Sequence, residues 1–135
     1  MTFNLVIITP KGVYLEKKVK SLTVKLTTGY RTFLAKHAPL VGSLDIAEMH
    51  FVDPKDNIEY FAIFNGAVNV TDEGITLITT NIESANDIDV ARAEASKVRA
   101  EERLHSDSPD IDKKRAKLSL LRATIRIKVA LLGKD

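Results

Sequence analysis

The sequence predicts an α+β fold, with a β half over residues 1–85 followed by an antiparallel two-helix hairpin over residues 86–135. Three observations carry this. Ser21-Leu22-Thr23-Val24-Lys25-Leu26-Thr27 alternates polar and apolar residues strictly, the mark of a strand with one wet face. Turn residues recur at short intervals up to Gly74, so the first half divides into many short strands, as in a sandwich or barrel. Near Asn86 the pattern changes to sequence rich in Ala, Glu, Arg and Lys, all good helix formers.

Taken in order, Asn4–Thr9 is β-rich and stops at Pro10, and a second strand begins over Gly12–Leu15. Ser21–Thr27 follows, and Gly29 supplies a turn. Ser43–Ala47 and Met49–Val52 are further strands, closed by the turn cluster Asp53–Asn57. Glu59–Phe64, Ala67–Val70 and Ile75–Thr79 complete the β half, separated by Asn65-Gly66 and Asp72-Glu73-Gly74. Asn86 or Asp87 is then placed to cap a helix running from Ile88 to about Leu104, with Asp87 and Asp89 at the positive end of its dipole. Pro109 breaks the pattern, and Ser108 or Asp110 is placed to cap a second helix from Ile111 to Leu132. Gly133 is a fitting stop.

Composition removes several classes of function. With no cysteine, disulfide frameworks and thiolate chemistry are excluded. His37, His50 and His105 form no zinc-type cluster in sequence, and no nucleophile elbow or P-loop lysine motif is present. A small hydrolase is therefore a poor reading, and neither catalytic nor metal-ligating residues are expected. His37 reads as a turn residue, since no nucleophile or acid adjoins it in sequence. No apolar run approaches the ~20 residues that span a bilayer, and the N-terminus lacks the features of a signal peptide. The expectation is a chain kept in the cytoplasm that meets membranes only through partners.

The hairpin carries the chemistry. Ile88, Ala91, Ala95 and Val98 repeat at helical spacing in the first helix, and Leu118, Leu121, Ile125, Val129 and Leu132 do so in the second. These stripes are expected to face one another, alanines against larger aliphatics. Arg92, Arg99 and Arg103 share a spacing of seven then four with Arg115, Arg122 and Arg126. At ~100° per residue each set falls within about 40° on one face, roughly 80° from its apolar stripe and with the same rotational sense. The two-fold relation of an antiparallel pair then brings both rows to one side. Six guanidinium groups on one face repel each other unless an anion joins them, and their forks suit phosphates and carboxylates. A plain solvated basic face is the simpler alternative. Leu120, Ile127 and Leu131 form a further apolar stripe on the second helix, suited to packing on the β half or to a second partner in a second conformation.

Over nearly its full length the chain resembles the epsilon subunits of bacterial F-type ATP synthases. Leu5-Val6-Ile7-Ile8-Thr9-Pro10 resembles the first strand of that family, and Lys36-His37-Ala38-Pro39-Leu40 resembles its Pro-x-His-x-Pro-Leu turn. Asn65-Gly66-Ala67-Val68 resembles a Gly-Gly-x-x-x-Val segment. Ile88-Asp89-Val90-Ala91-Arg92-Ala93, preceded by Glu83, matches the motif that opens the family's hairpin. In three places this sequence departs from the family: Gly29-Tyr30-Arg31-Thr32 loses a second glycine, Ala35 replaces a proline and Asn65 replaces a glycine.

The resemblance implies a ten-stranded β-sandwich that binds the gamma subunit and the c-ring of the membrane sector. It implies a peripheral place on the cytoplasmic side of the cell membrane, in the central rotor stalk, without catalysis. The hairpin would lie compact or extend along gamma toward the alpha and beta subunits, where it restrains ATP hydrolysis. No cofactor is required, but some members bind ATP on the compact hairpin. The residues matching that site are Glu83, Ile88, Asp89, Arg92, Ala93, Arg99, Arg122 and Arg126, with Arg103 and Arg115 as weaker candidates. A stand-alone nucleic-acid-binding module is the rival reading. The last 50 residues hold no Phe, Tyr or Trp, which argues against base stacking.

Overall fold

The computed structural model describes residues 1–134. Ten strands come first: β1 Phe3–Thr9, β2 Gly12–Val19, β3 Ser21–Leu26, β4 Gly29–Leu34, β5 Leu40–Leu44, β6 Ala47–Val52, β7 Ile58–Ile63, β8 Gly66–Thr71, β9 Gly74–Thr79 and β10 Ile82–Ser84. A 3₁₀ turn over Ala85–Asp87 leads to helices α1 Val90–Leu104 and α2 Lys113–Leu132. The fold class is as the sequence predicts. The strands β4 and β10 are not legible from the residues alone, and β5 lies at Leu40–Leu44 instead of Ser43–Ala47. β10 is only three residues long and β4 carries Arg31 and Thr32 in its middle, so neither has a clean alternating pattern.

The strands follow the order β10-β7-β6-β3-β5-β8-β9-β1-β2, with β4 paired to β3. β3 bonds to β6 through Ser21–Thr23 and reaches β5 at Leu26, so it passes from one layer to the other. All pairings are antiparallel except β1 with β9. Alternate residues turn inward, and Leu5, Ile7, Leu22, Phe51, Val68 and Leu77 are wholly buried between the layers. The departure at Asn65 has a local cause. Asn65 and Gly66 both hold positive φ, 66° and 151°. Asparagine tolerates that region better than most residues, and a Cβ on Gly66 would overlap the Ile78 carbonyl. The turn thus keeps its shape with one glycine.

The helix caps fall elsewhere than expected. Asp89 caps α1, its Oδ1 accepting from the Arg92 N–H at 3.0 Å, and Asp112 caps α2 in the same way through Arg115 at 3.1 Å. Asn86 and Asp87 are used in the 3₁₀ turn instead. Gly133 is not a left-handed stop, since its φ is −79°. It is small because a Cβ there would overlap the side chain of Ala85.

The hairpin seam is also corrected. The buried residues facing across it are Ala93 and Ala100 on α1 and Ala116 and Ala123 on α2. Ala91, Ala95 and Val98 face solvent, as do Leu118 and Leu121. Ile125 and Val129 turn the other way, onto a second core with Ile46, Ala62, Phe64 and Ile88. Alanine against alanine lets the helix axes approach closely, and the larger side chains of α2 then fill the wider gap to the sheet. Leu120 and Ile127 are half-buried within about 40° of the alanine line on α2. Neither is among the described residues packed against the two cores, and Leu131 is exposed.

Candidate functional site

The two arginine rows share one side. A groove of about 370 Å³ runs between the helices, lined by Ser96, Arg99, Ala100 and Arg103 from α1 and by Ala116, Ser119, Arg122 and Arg126 from α2. A second hollow of about 360 Å³ continues it toward the sandwich, lined by Glu83, Asp87, Asp89, Arg92, Ala93, Ser96 and Arg126. Arg115 lies at the far end, in a smaller recess with Arg103, Asp110 and Asp112. The rows meet although the expected seam was wrong. Each row stands about a quarter turn from both candidate stripes of its helix, so exchanging the stripes in both helices keeps the rows together. Small residues at the seam and at Ser96 and Ser119 leave the floor of the groove open.

Arg126 is held firmly. Its guanidinium donates to both carboxylate oxygens of Glu83, with Nη2 at 2.8 Å and Nε at 3.0 and 3.1 Å. It also lies 4.7 Å from the centroid of the buried Phe64 ring. This fork-to-fork pair joins α2 to β10. Among the described residues, Arg126 is the one arginine of the six in an ion pair. Arg99 donates only to the Ser96 hydroxyl, at 3.1 Å. Among the described residues, Arg92, Arg99, Arg103 and Arg122 therefore bring positive charge to the groove without a paired carboxylate. At the sandwich end, Asp87 and Asp89 supply acceptors, although one oxygen of Asp89 is occupied in capping α1. The arrangement suits an elongated polyanion with a hydroxyl-bearing end.

Seven of the eight residues singled out for this site line the groove: Glu83, Asp89, Arg92, Ala93, Arg99, Arg122 and Arg126. The side chain of Ile88 does not. It belongs to the core between hairpin and sheet. His37 is a turn residue whose ring nitrogens face the carbonyls of Leu34 and Thr71, at 2.7 and 2.8 Å. Among the described residues no cluster of His, Asp or Glu is placed to hold a metal ion, and no helix is long and apolar enough to cross a membrane.

Several working residues escape a sequence reading. Lys113 donates to the carbonyls of Arg103 and Leu104 at 3.1 and 2.8 Å and to that of Ser106, capping the end of α1 from the start of α2. Lys128 pairs with Glu48 at 3.0 Å, and Tyr30 donates to the same carboxylate. Glu48 looks like a wet-face residue of β6, and no local signal shows that a helix 80 residues later covers it.

The fold and groove define a stalk-type architecture: a ten-stranded sandwich carrying a docked helix pair, as in the delta and epsilon chains of ATP synthases. A family model for the ATP synthase delta/epsilon chain β-sandwich domain matches residues 2–85, and one for the long α-helix domain matches residues 86–130. The ATP synthase epsilon chain of Bacillus cytotoxicus is 36% identical over 96% of both chains. That of Staphylococcus saprophyticus is 38% identical over the same shares. A chain in the Euglena gracilis mitochondrial ATP synthase, solved with OSCP, F1 and c-ring, has the same fold with a TM-score of 0.85 at 17% identity, covering 96% of this chain and 81% of that one. The chain belongs to the epsilon-chain family of bacterial F-type ATP synthases. That membership leaves the nucleic-acid rival without support.

Proposed function

We propose that this chain is a non-catalytic regulator in the central stalk of a proton-translocating ATP synthase, and that its hairpin senses ATP. The observation that carries the sensor reading is the groove itself, with four arginines, Arg92, Arg99, Arg103 and Arg122, that have no carboxylate partner among the described residues. The sandwich would hold gamma and the c-ring, so that the chain meets the membrane from the cytoplasmic side through those partners. The solved relative of the Euglena enzyme was seen in an F1/c-ring assembly, which supports that placement.

ATP between the helices would place its triphosphate against Arg92, Arg99 and Arg122 and its ribose or base near Asp87, Asp89 and Glu83. Neutralising the rows favours the compact pair. With ATP scarce, repulsion between the rows favours release, and the basic α2 then meets alpha and beta to restrain hydrolysis. A ligand shifts such a balance only by its differential affinity for the two states, and only the compact state assembles both rows. Isothermal titration of the full chain with ATP tests the sensor. Heat that disappears in Arg99→Ala/Arg122→Ala supports it, and the absence of heat at millimolar ATP removes it. Co-purification of gamma, alpha and beta with a tagged chain tests the stalk assignment separately.

A further inference from the structure

Two ion pairs strap α2 to the sandwich, and they lie on opposite flanks of the helix. Arg126 and Lys128 point ~200° apart. Arg126–Glu83 belongs to the groove and so feels whatever the groove binds. Lys128–Glu48 faces away from it. The Glu48 carboxylate is almost fully buried, at 9% exposure, and receives two cross-element partners. The Lys128 ammonium lies 3.0 Å from one oxygen, and the Tyr30 hydroxyl donates to the other. Tyr30 on β4 pairs with Lys25 of β3 and Glu48 on β6 pairs with Ala62 of β7, so both are fixed in the sheet. Lys128 is different, because it sits on the element that moves. Its neighbour Val129 is fully buried against the sheet, so α2 cannot lift without withdrawing Lys128 from Glu48.

We propose that Tyr30, Glu48 and Lys128 form a clasp that holds the hairpin on the sandwich independently of the groove's ligand. The inference rests on the reading that the hairpin opens. A buried carboxylate stripped of its cation loses a charge-assisted interaction, while Tyr30 stays to receive it again on closure. The clasp therefore sets the resting fraction of compact chains. Apparent affinity for a groove ligand scales with that fraction, so the clasp fixes the ligand concentration at which the hairpin opens without touching the ligand.

The absence of cysteine allows a direct test in the full chain. A Val129→Cys background places one thiol under the docked helix, where its modification rate reads even rare opening. Rates are normalised to those of the denatured chain. Lys128→Met is expected to raise the rate by about tenfold or more, as is Glu48→Gln to a lesser degree. Lys128→Arg should stay near the parent, since it keeps the cation. A rate unchanged in both Lys128→Met and Glu48→Gln overturns the clasp. ATP is added as a separate arm. If ATP fails to slow the parent while Lys128→Met still accelerates it, the sensor reading falls and the clasp stands.

Discussion

The sandwich and the hairpin are held by different means. The sandwich core gathers eighteen buried apolar residues from both layers, with Leu5, Ile7, Leu22, Phe51, Val68 and Leu77 fully enclosed. The hairpin docks through a cluster of seven, to which α2 contributes Ile125, Val129 and Ala130. Ion pairs on either flank complete that docking. The helices meet each other across alanines, which bury little area apiece. A large dry core makes one region an anchor. The other rests on a small core edged by ion pairs, which is what the proposed release of the hairpin requires.

The largest expected break in this contrast is in the anchor. Leu77→Ala should cost about 2–5 kcal/mol and lower the urea midpoint of the whole chain, because the cavity opens in the shared core. Gly133→Val comes next. Its side chain would meet Ala85 at the hinge and cost about 1–3 kcal/mol of docking. Limited proteolysis should then cut the helices sooner while the sandwich resists. Asp112→Ala removes the α2 cap and should cost about 1 kcal/mol, read as faster amide exchange in the first turn of α2 only.

Titration acts on the face of β6 that carries the hairpin, where His50 lies beside Tyr60 and two residues from Glu48. Burial pushes the His50 imidazole below its ordinary value of 6.5, although Glu48 opposes this. A depressed folded value means that its contribution is complete above 6.5 and is lost as pH falls through the lower folded value. At Glu48 burial alone would raise the carboxyl, but Tyr30 and Lys128 outweigh it and hold it below 4.5. Lys128 is raised above 10.5, first by its bond to Glu48. Tyr30 is raised above 10.0, first by its bond to Glu48. The clasp is thus complete between 4.5 and 10.0, and is lost as pH falls through the folded value of Glu48 or rises through those of Tyr30 and Lys128. Acid should loosen the docked hairpin in two steps, through His50 first and through Glu48 later. Thiol modification at position 129 checks the order.

The sequence made some levels of this account legible and hid others. Strand alternation at Ser21–Leu26 and the change of period after Asn86 are local, so both regions could be read. The arginine rows could be read too, because their spacing of seven then four needs only a helix. The seam could not. Ala93 and Ala100 carry weaker hydrophobic weight than Ile125 and Val129, and pattern reading assigns the strongest stripe to the nearest partner. Here that stripe serves the sheet. The motif places Ile88 beside the site, whereas its side chain fills the second core. Glu48 and Tyr30 give no local signal, because their partner lies far along the chain on another element.

The most direct test of a fixed sandwich with a ligand-governed hairpin is limited proteolysis of the full chain with and without millimolar ATP. ATP should protect the segment between α1 and α2 and the exposed lysines of α2, leave cleavage in the β half unchanged, and lose this effect in Arg99→Ala/Arg122→Ala. Equal cleavage of the hairpin with and without ATP, or protection that persists in the double variant, would contradict the account.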